Sequence, residues 1–381
     1  MKAIIKIFTL AFVLIHLVFY VPLTHAQKVE IIEGVRVVHN EKPKWGNNPK
    51  LEIEFVQKIG DLDALDENFQ LYRHRDVTRD KSGNIYILDS GNYRIQKYDA
   101  KGKYLKTIGR KGQGPSEFNG RPLSLGSDTE DNLYVTTSSM LQVLTSEGRE
   151  LRRVRFRGSS PHSTKYLTNS QLVAFYEDTK SSLRKGESKE KEMQDKVVKL
   201  YDLEMNLVHQ FIDPGIYTYK GNSEVIRSCF LADGPDGSIY VTYRHLNSIE
   251  KYSPDAKLLM KIDRKLEVDI TPKFEEIKIQ DYEGINWITP PATMHFGVDD
   301  KGRIWVLTYA KPFLPSKMKS DEIAEFLKTG LKLEVFDTDG ILLGAMPVGI
   351  IMEYMKICGD RIYFIDPVIT YAVYEYKIVE K

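Results

Sequence analysis

Cysteine is nearly absent: the 381 residues hold two, Cys229 and Cys358. That excludes a disulfide-built scaffold and a zinc fold made from cysteine pairs. Tryptophan is scarce as well, at three residues, whereas Tyr and Phe number 22 and 16, a balance that points to β-rich, aromatic packing. No sign of charge is in excess, since 54 Lys and Arg face 53 Asp and Glu. Such a chain lacks the field of a dedicated nucleic-acid binder. Beyond residue 23 no apolar run is long enough to span a membrane. With 42% hydrophobic residues there is still ample material for a large core, so a disordered chain is excluded.

The apolar run at the start reads as an export signal. Lys2 and Lys6 form a basic head, Ile7 to Val21 an apolar stretch, and Thr24-His25-Ala26 a cleavage site ahead of Gln27. No cysteine follows, so lipid attachment is not expected, and the expected address is periplasmic or extracellular. Residues 1–26 are thus a leader, 27–49 a strap, extended where Val29 to Val38 alternates and irregular around Pro43, Trp45 and Pro49, and 50–381 one domain, expected to be monomeric. Cys229 and Cys358 fall in non-adjacent repeats of that domain and are expected to be free, buried thiols.

Internal repetition organises the domain. The clearest unit is DVTRDKSGNIYILDSGNYRIQKYDAKGKYLKTIG, Asp76 to Gly109, in which four short runs rich in Ile, Tyr, Val and Leu alternate with turns of Asp, Asn, Ser and Gly. Copies begin at Ser124, Cys229 and His295, and weaker ones at Lys165 and Met355. Their second-strand landmarks are Tyr86, Tyr134, Val173, Tyr240, Trp305 and Tyr363. Six four-stranded units predict an all-β, six-bladed β-propeller with antiparallel blades. The last unit has three strands only, and Leu51 to Gly60 reads as its missing fourth, which would close the ring from the N-terminal side and leave no open edge.

The motif Asp-Ser-Gly-Asn-Tyr-Arg at residues 89–94 and the tail IGRKGQGPSEF at 108–118 resemble the NHL-repeat group, especially exported bacterial six-bladed propellers. The resemblance is specific over residues 76–118. It implies that Asp89, Asn92 and Arg94 serve blade architecture, and it supplies no catalytic residue.

In a propeller the connections between blades share one face with those from each second strand to its third. Long insertions fall in that class: Asp178 to Asp195, Asp213 to Glu224, Arg264 to Pro291 and Tyr309 to Gly330. This loop-rich face is the expected binding surface. Within it, Ser320 to Gly330 reads as a short helix capped by Ser320, with Ile323, Phe326 and Leu327 docking it, and Tyr282 and Trp287 offer rings for stacking on a sugar or peptide. Arg73, Arg121 and Arg227 occupy one register, each just ahead of an innermost strand. Together they would ring the channel mouth and hold an anion by bidentate hydrogen bonds, unless each pairs with a local acid such as Asp76 or Glu224.

Nothing in the sequence marks a catalytic apparatus. His74, His162, Glu224 and His295 lie near strand starts and would be the ligands if a divalent metal served a propeller hydrolase or lyase, but they share no register and no ligand-type spacing. The reading favoured is a scaffold without enzymatic activity or cofactor that binds an envelope protein, peptide or glycan, with no nucleic-acid partner. The metal-dependent hydrolase or lyase is its alternative.

Overall fold

In the computed structural model the described residues are 27–46, 48–155, 163–167, 172–176, 198–212, 215–219, 222–226, 229–270, 274–279, 282–287, 291–311, 319–350 and 352–381. The leader, the insertion at 178–195, His162 and Arg227 lie outside them.

Three strands precede the first repeat: β1 (Gln27–Ile32), β2 (Val35–Asn40) and β3 (Leu51–Ile59). The first repeat forms β4 (Asp76–Arg79), β5 (Ile85–Asp89), β6 (Arg94–Tyr98) and β7 (Tyr104–Ile108), and the second β8 (Pro122–Ser127), β9 (Leu133–Thr137), β10 (Met140–Leu144) and β11 (Glu150–Arg155). The third forms β12 (Ser163–Leu167), β13 (Leu172–Tyr176), β14 (Val198–Tyr201) and β15 (Leu207–Phe211). A hairpin of β16 (Gly215–Tyr219) and β17 (Asn222–Ile226) follows, and then β18 (Cys229–Asp233), β19 (Ile239–Tyr243), β20 (Ser248–Tyr252) and β21 (Leu258–Arg264). A second hairpin, β22 (Phe274–Ile279) and β23 (Tyr282–Trp287), leads to β24 (His295–Val298), β25 (Ile304–Tyr309), helix α1 (Ser320–Thr329), β26 (Leu331–Phe336) and β27 (Leu342–Val348). The chain finishes with β28 (Tyr354–Cys358), β29 (Arg361–Asp366) and β30 (Ala372–Glu380).

Four-stranded antiparallel sheets are the repeating element, a propeller's blades. Among the described residues five sheets have this form, four with neighbours in chain order and one completed by β3, not the six expected, because the sheet of β18 to β21 has six strands. There β2 pairs in parallel with β21 from Arg36↔Met260 to Asn40↔Arg264, and β1 pairs with β2. Residues 27–40 therefore form a regular hairpin along the edge of that sheet. The physical reason is that the outer strand of a blade offers unpaired backbone groups, which an alternating segment such as VRVVHN can cover. The chain then crosses to the next sheet, where Lys44 N and Trp45 N donate to Leu342 O and Leu343 O at 2.9 and 2.8 Å. Strand β3 lies antiparallel to β30, from Leu51↔Glu380 to Ile59↔Val373.

Local chemistry explains why the blades form where they do. At the turn from first to second strand, Asp80 accepts from Asn84 N through one oxygen (2.8 Å) and from the Tyr86 hydroxyl through the other (3.0 Å). Asp128 repeats this with Asn132 N and Tyr134 at 2.8 and 3.1 Å. Asp299 does so with Arg303 N at 2.9 Å and the Trp305 indole at 2.9 Å. An Asp opening the turn and an aromatic six residues on thus brace the turn and satisfy the polar end of a buried ring together. Apolar clusters fill the gaps between successive sheets: Tyr86, Ile95 and Phe118 pack with Leu125 and Leu133, and Trp305 and Leu333 pack with Ile362 and Phe364. The same packing joins the last sheet to the first, through Ile59, Tyr363 and Val373 with Val77 and Ile85.

Two details differ from expectation. Helix α1 is capped at Lys319, whose backbone N–H donates to Glu322 Oε2 at 2.7 Å, rather than at Ser320. Buried Phe326 docks it against Tyr309, with ring centres 5.7 Å apart. Both cysteines are free, but only Cys229 is buried, because Cys358 lies on an innermost strand beside the channel and is half-buried.

Candidate functional site

A cavity of about 510 Å³ opens on the loop-bearing face. Its walls come from the segment before β4 (Arg73, His74, Arg75), the connection before β8 (Arg121), the connection before β28 (Glu353, Tyr354) and the β29–β30 loop (Val368, Tyr371). All are connections between blades or from a second strand to a third.

Asp89 positions the first wall. This fully buried carboxylate accepts from Tyr72 N at 2.8 Å, Asn92 Nδ2 at 2.9 Å and Arg94 Nε at 2.7 Å. Arg94 in turn donates to the carbonyls of Glu67 and Gln70, at 3.2 and 3.1 Å. The Asp-Ser-Gly-Asn-Tyr-Arg motif therefore clamps the segment that delivers residues 73 to 75. Gly91 allows this close approach, because a Cβ there would meet Tyr72 O at 2.5 Å. Ser90 serves the neighbouring wall, accepting a hydrogen bond from Arg121 Nε at 3.1 Å.

Two of the three arginines placed in one register, Arg73 and Arg121, line this cavity, joined by Arg75, which sequence reasoning missed. Arg73 has a left-handed backbone, φ 48°, and Arg75, two residues on, lines the same cavity. Each is set over a ring: the Arg73 guanidinium carbon is 5.4 Å from the centre of Tyr72, and that of Arg75 is 6.0 Å from Tyr354. Half-buried arginines elsewhere on the blades have acidic partners, Arg79 with Asp360, Arg94 with Asp89, Arg153 with Glu150 and Arg303 with Asp299. Arg75 and Arg121 have no carboxylate within 4 Å among the described residues. Asp76, the acid weighed as a partner for Arg73, is engaged by Lys356 Nζ at 2.8 Å.

The remaining site residues are dispersed. Glu224 pairs with Tyr217 in the β16–β17 hairpin, one element away from the innermost strand it was expected to precede. Tyr282 and Trp287 are the end residues of β23, on the second hairpin. His74 is fully buried and its Nε2 lies 3.2 Å from Ala372 O. A carbonyl only accepts, so Nε2 carries the proton; burial holds the imidazole below its ordinary pKa and therefore neutral. His295 is anchored likewise to Glu353 O at 2.8 Å, and burial pushes its pKa down to about 4. Among the described residues no group of three or more His, Cys, Asp or Glu side chains is placed to hold a metal ion.

No family model matches this sequence, and no curated protein matches it. Solved structures do. A member of the DUF4221 family from Bacteroides vulgatus is similar at 11% identity and TM-score 0.59, over 87% of this chain and 99% of that one. A Bacteroides fragilis protein described as a candidate for export is similar at 10% identity and TM-score 0.52, over 91% and 99%. A Xanthomonas campestris gluconolactonase gives 12% identity and TM-score 0.46, over 87% and 91%, a likeness too loose to bear on chemistry. The NHL resemblance is not confirmed by these matches. Among the described residues no helix is long and apolar enough to cross a membrane. At such identities similarity speaks for architecture only, and the architecture is an all-β propeller with four-stranded antiparallel blades.

Proposed function

We propose that this protein is an exported propeller scaffold that binds a protein, peptide or glycan through its loop-bearing face, centred on the arginine-lined cavity. The observation that carries the reading is the set of guanidiniums at Arg73, Arg75 and Arg121, gathered at one cavity with a single carboxylate, Glu353, among its lining. Guanidiniums left without acids are suited to capture a carboxylate or phosphate from outside. The scaffold is read as a six-bladed ring: the six-stranded sheet supplies one blade from β18 to β21, and β3 supplies the outer strand of the last. That reading draws on the apolar packing between successive sheets and on the pairing of β3 with β30. Export is read from the leader and from the B. fragilis likeness, and N-terminal sequencing of secreted protein should begin at Gln27.

The test is binding of mature protein to an array of acidic peptides and anionic glycans. Arg73→Ala, Arg75→Ala and Arg121→Ala combined should abolish capture, and a triple variant that binds unchanged would sink the reading.

A further inference from the structure

From the charge balance and apolar flank of the same cavity we infer its ligand class: a dianionic head, phosphate monoester or dicarboxylate, carried on an aromatic or apolar body. This rests on the reading that the cavity is the binding site. Three guanidiniums line it against one carboxylate, Glu353, so the lining itself carries a net two positive charges; buried Asp366, beneath the β29–β30 loop, turns its oxygens to Val368 N, Ile369 N and Thr370. The neighbouring histidine contributes none, since its Nε2–H is spent on Ala372 O and burial keeps the ring neutral. Asp76 contributes none either, because Lys356 neutralises it. A dianion balances this site, whereas a monoanion leaves one charge in excess in a confined space.

The body of the ligand follows from a separate observation. Two exposed apolar side chains belong to this cavity, Tyr72 at 45% and Val368 at 61%, and Ile369, next in the chain, is 48% exposed. Arg73 and Arg75 are held over Tyr72 and Tyr354, so cationic and apolar surfaces adjoin. A molecule that places a dianion on the guanidiniums covers these groups with the part next to its head.

Calorimetric titration of the mature protein at pH 8 tests this with four probes: phenyl phosphate, phthalate, inorganic phosphate and benzoate. At least one of the two aromatic dianions should bind ten times more tightly than both inorganic phosphate and benzoate, and which one does so tells phosphate from dicarboxylate. Arg75→Gln with Arg121→Gln should weaken that probe at least tenfold, and Arg75→Lys should weaken it less. Val368→Asn should weaken the aromatic probes and leave inorganic phosphate unchanged, with circular dichroism and melting temperature confirming that each variant is folded. Benzoate binding as tightly as the aromatic dianions overturns the charge inference. Inorganic phosphate binding as tightly overturns the apolar one. In both cases dependence on the arginines would leave the binding reading intact. Failure of every probe, or equal binding by folded arginine variants, overturns the inference together with the reading of the cavity.

Discussion

The Lys356 ammonium lies 2.8 Å from the Asp76 carboxylate, tying the innermost strand β28 to the innermost strand β4. The other Asp76 oxygen accepts from Leu125 N at 2.9 Å, and Lys356 also donates to Leu125 O at 3.3 Å, so strand β8 is held by the same pair. The pair engages Asp76, the acid that follows Arg75 in the chain.

Removing one partner exposes what the pair does. The two side chains are 21% and 16% exposed, so Asp76→Asn should cost about 2–3 kcal/mol, less than a fully buried pair. Burial is the largest influence and acts to lower the Lys356 pKa, but Asp76, Cys358 and Asp233 together outweigh it and the value is raised. A raised folded pKa means that this stabilisation is complete below the ordinary lysine value and is lost as pH rises through the folded one. Urea unfolding at pH 7 and above pH 11 checks both points, and an Asp76→Asn variant as stable as wild type would sink the first.

Arg264 and Glu334 make the corresponding contact between two sheets at 3.2 Å, with side chains only 1% and 3% exposed. Arg264 also donates to Ala292 O and Thr293 Oγ1, at 3.1 and 2.8 Å. Glu334→Gln should destabilise by about 3–5 kcal/mol, since it strands a buried guanidinium. Arg264→Met combined with Glu334→Leu should recover much of that loss. Chemical denaturation of the single and double variants decides, and a double variant weaker than the single would count against the charge explanation.

Acid should destabilise the fold through histidine. Burial pushes His245 and His295 down to about 4. Between the ordinary value near 6.5 and that depressed value the unfolded chain binds protons that the folded chain refuses. Stability is therefore intact above about pH 6.5 and falls as pH drops through 4. The melting temperature of His295→Gln should decline less than that of wild type between pH 7.5 and 4.5, and parallel curves would contradict the assignment.

Closure of the ring by β3 is tested by truncation. Deleting residues 375–381 removes most of the partner of β3, from Gln57↔Glu375 outward, together with buried Val373's flanking strand and Ile378 of the apolar cluster. The shortened chain should lose cooperative unfolding, followed by far-ultraviolet circular dichroism on heating. An unchanged melting temperature would mean that the two strands do not hold the ring.

Much of the architecture could be read in advance because its causes are local. The Asp-to-aromatic spacing at 80 and 86 or 128 and 134 acts within six residues, and short runs of Ile, Val and Tyr between such turns form strands wherever they recur. The alternation of Val29 to Val38 showed extended structure but not where it docks, because that depends on a remote open edge at β21. The insertions at 215–226 and 274–287 looked like loops, and their hairpins meant that Glu224, Tyr282 and Trp287 sit on elements of their own.

The cavity shows the same division. Arginines 73 and 121 could be aligned by counting back from Tyr86 and Tyr134, since equal blades place equal positions on one face. That they lack acidic partners among the described residues could not be read so, because it turns on long-range pairing such as that of Lys356 with Asp76, 280 positions apart. Repeat period, turn chemistry and strand pattern are short-range properties of the chain, whereas pairing of charges and the shape of a cavity arise only when distant segments share a volume.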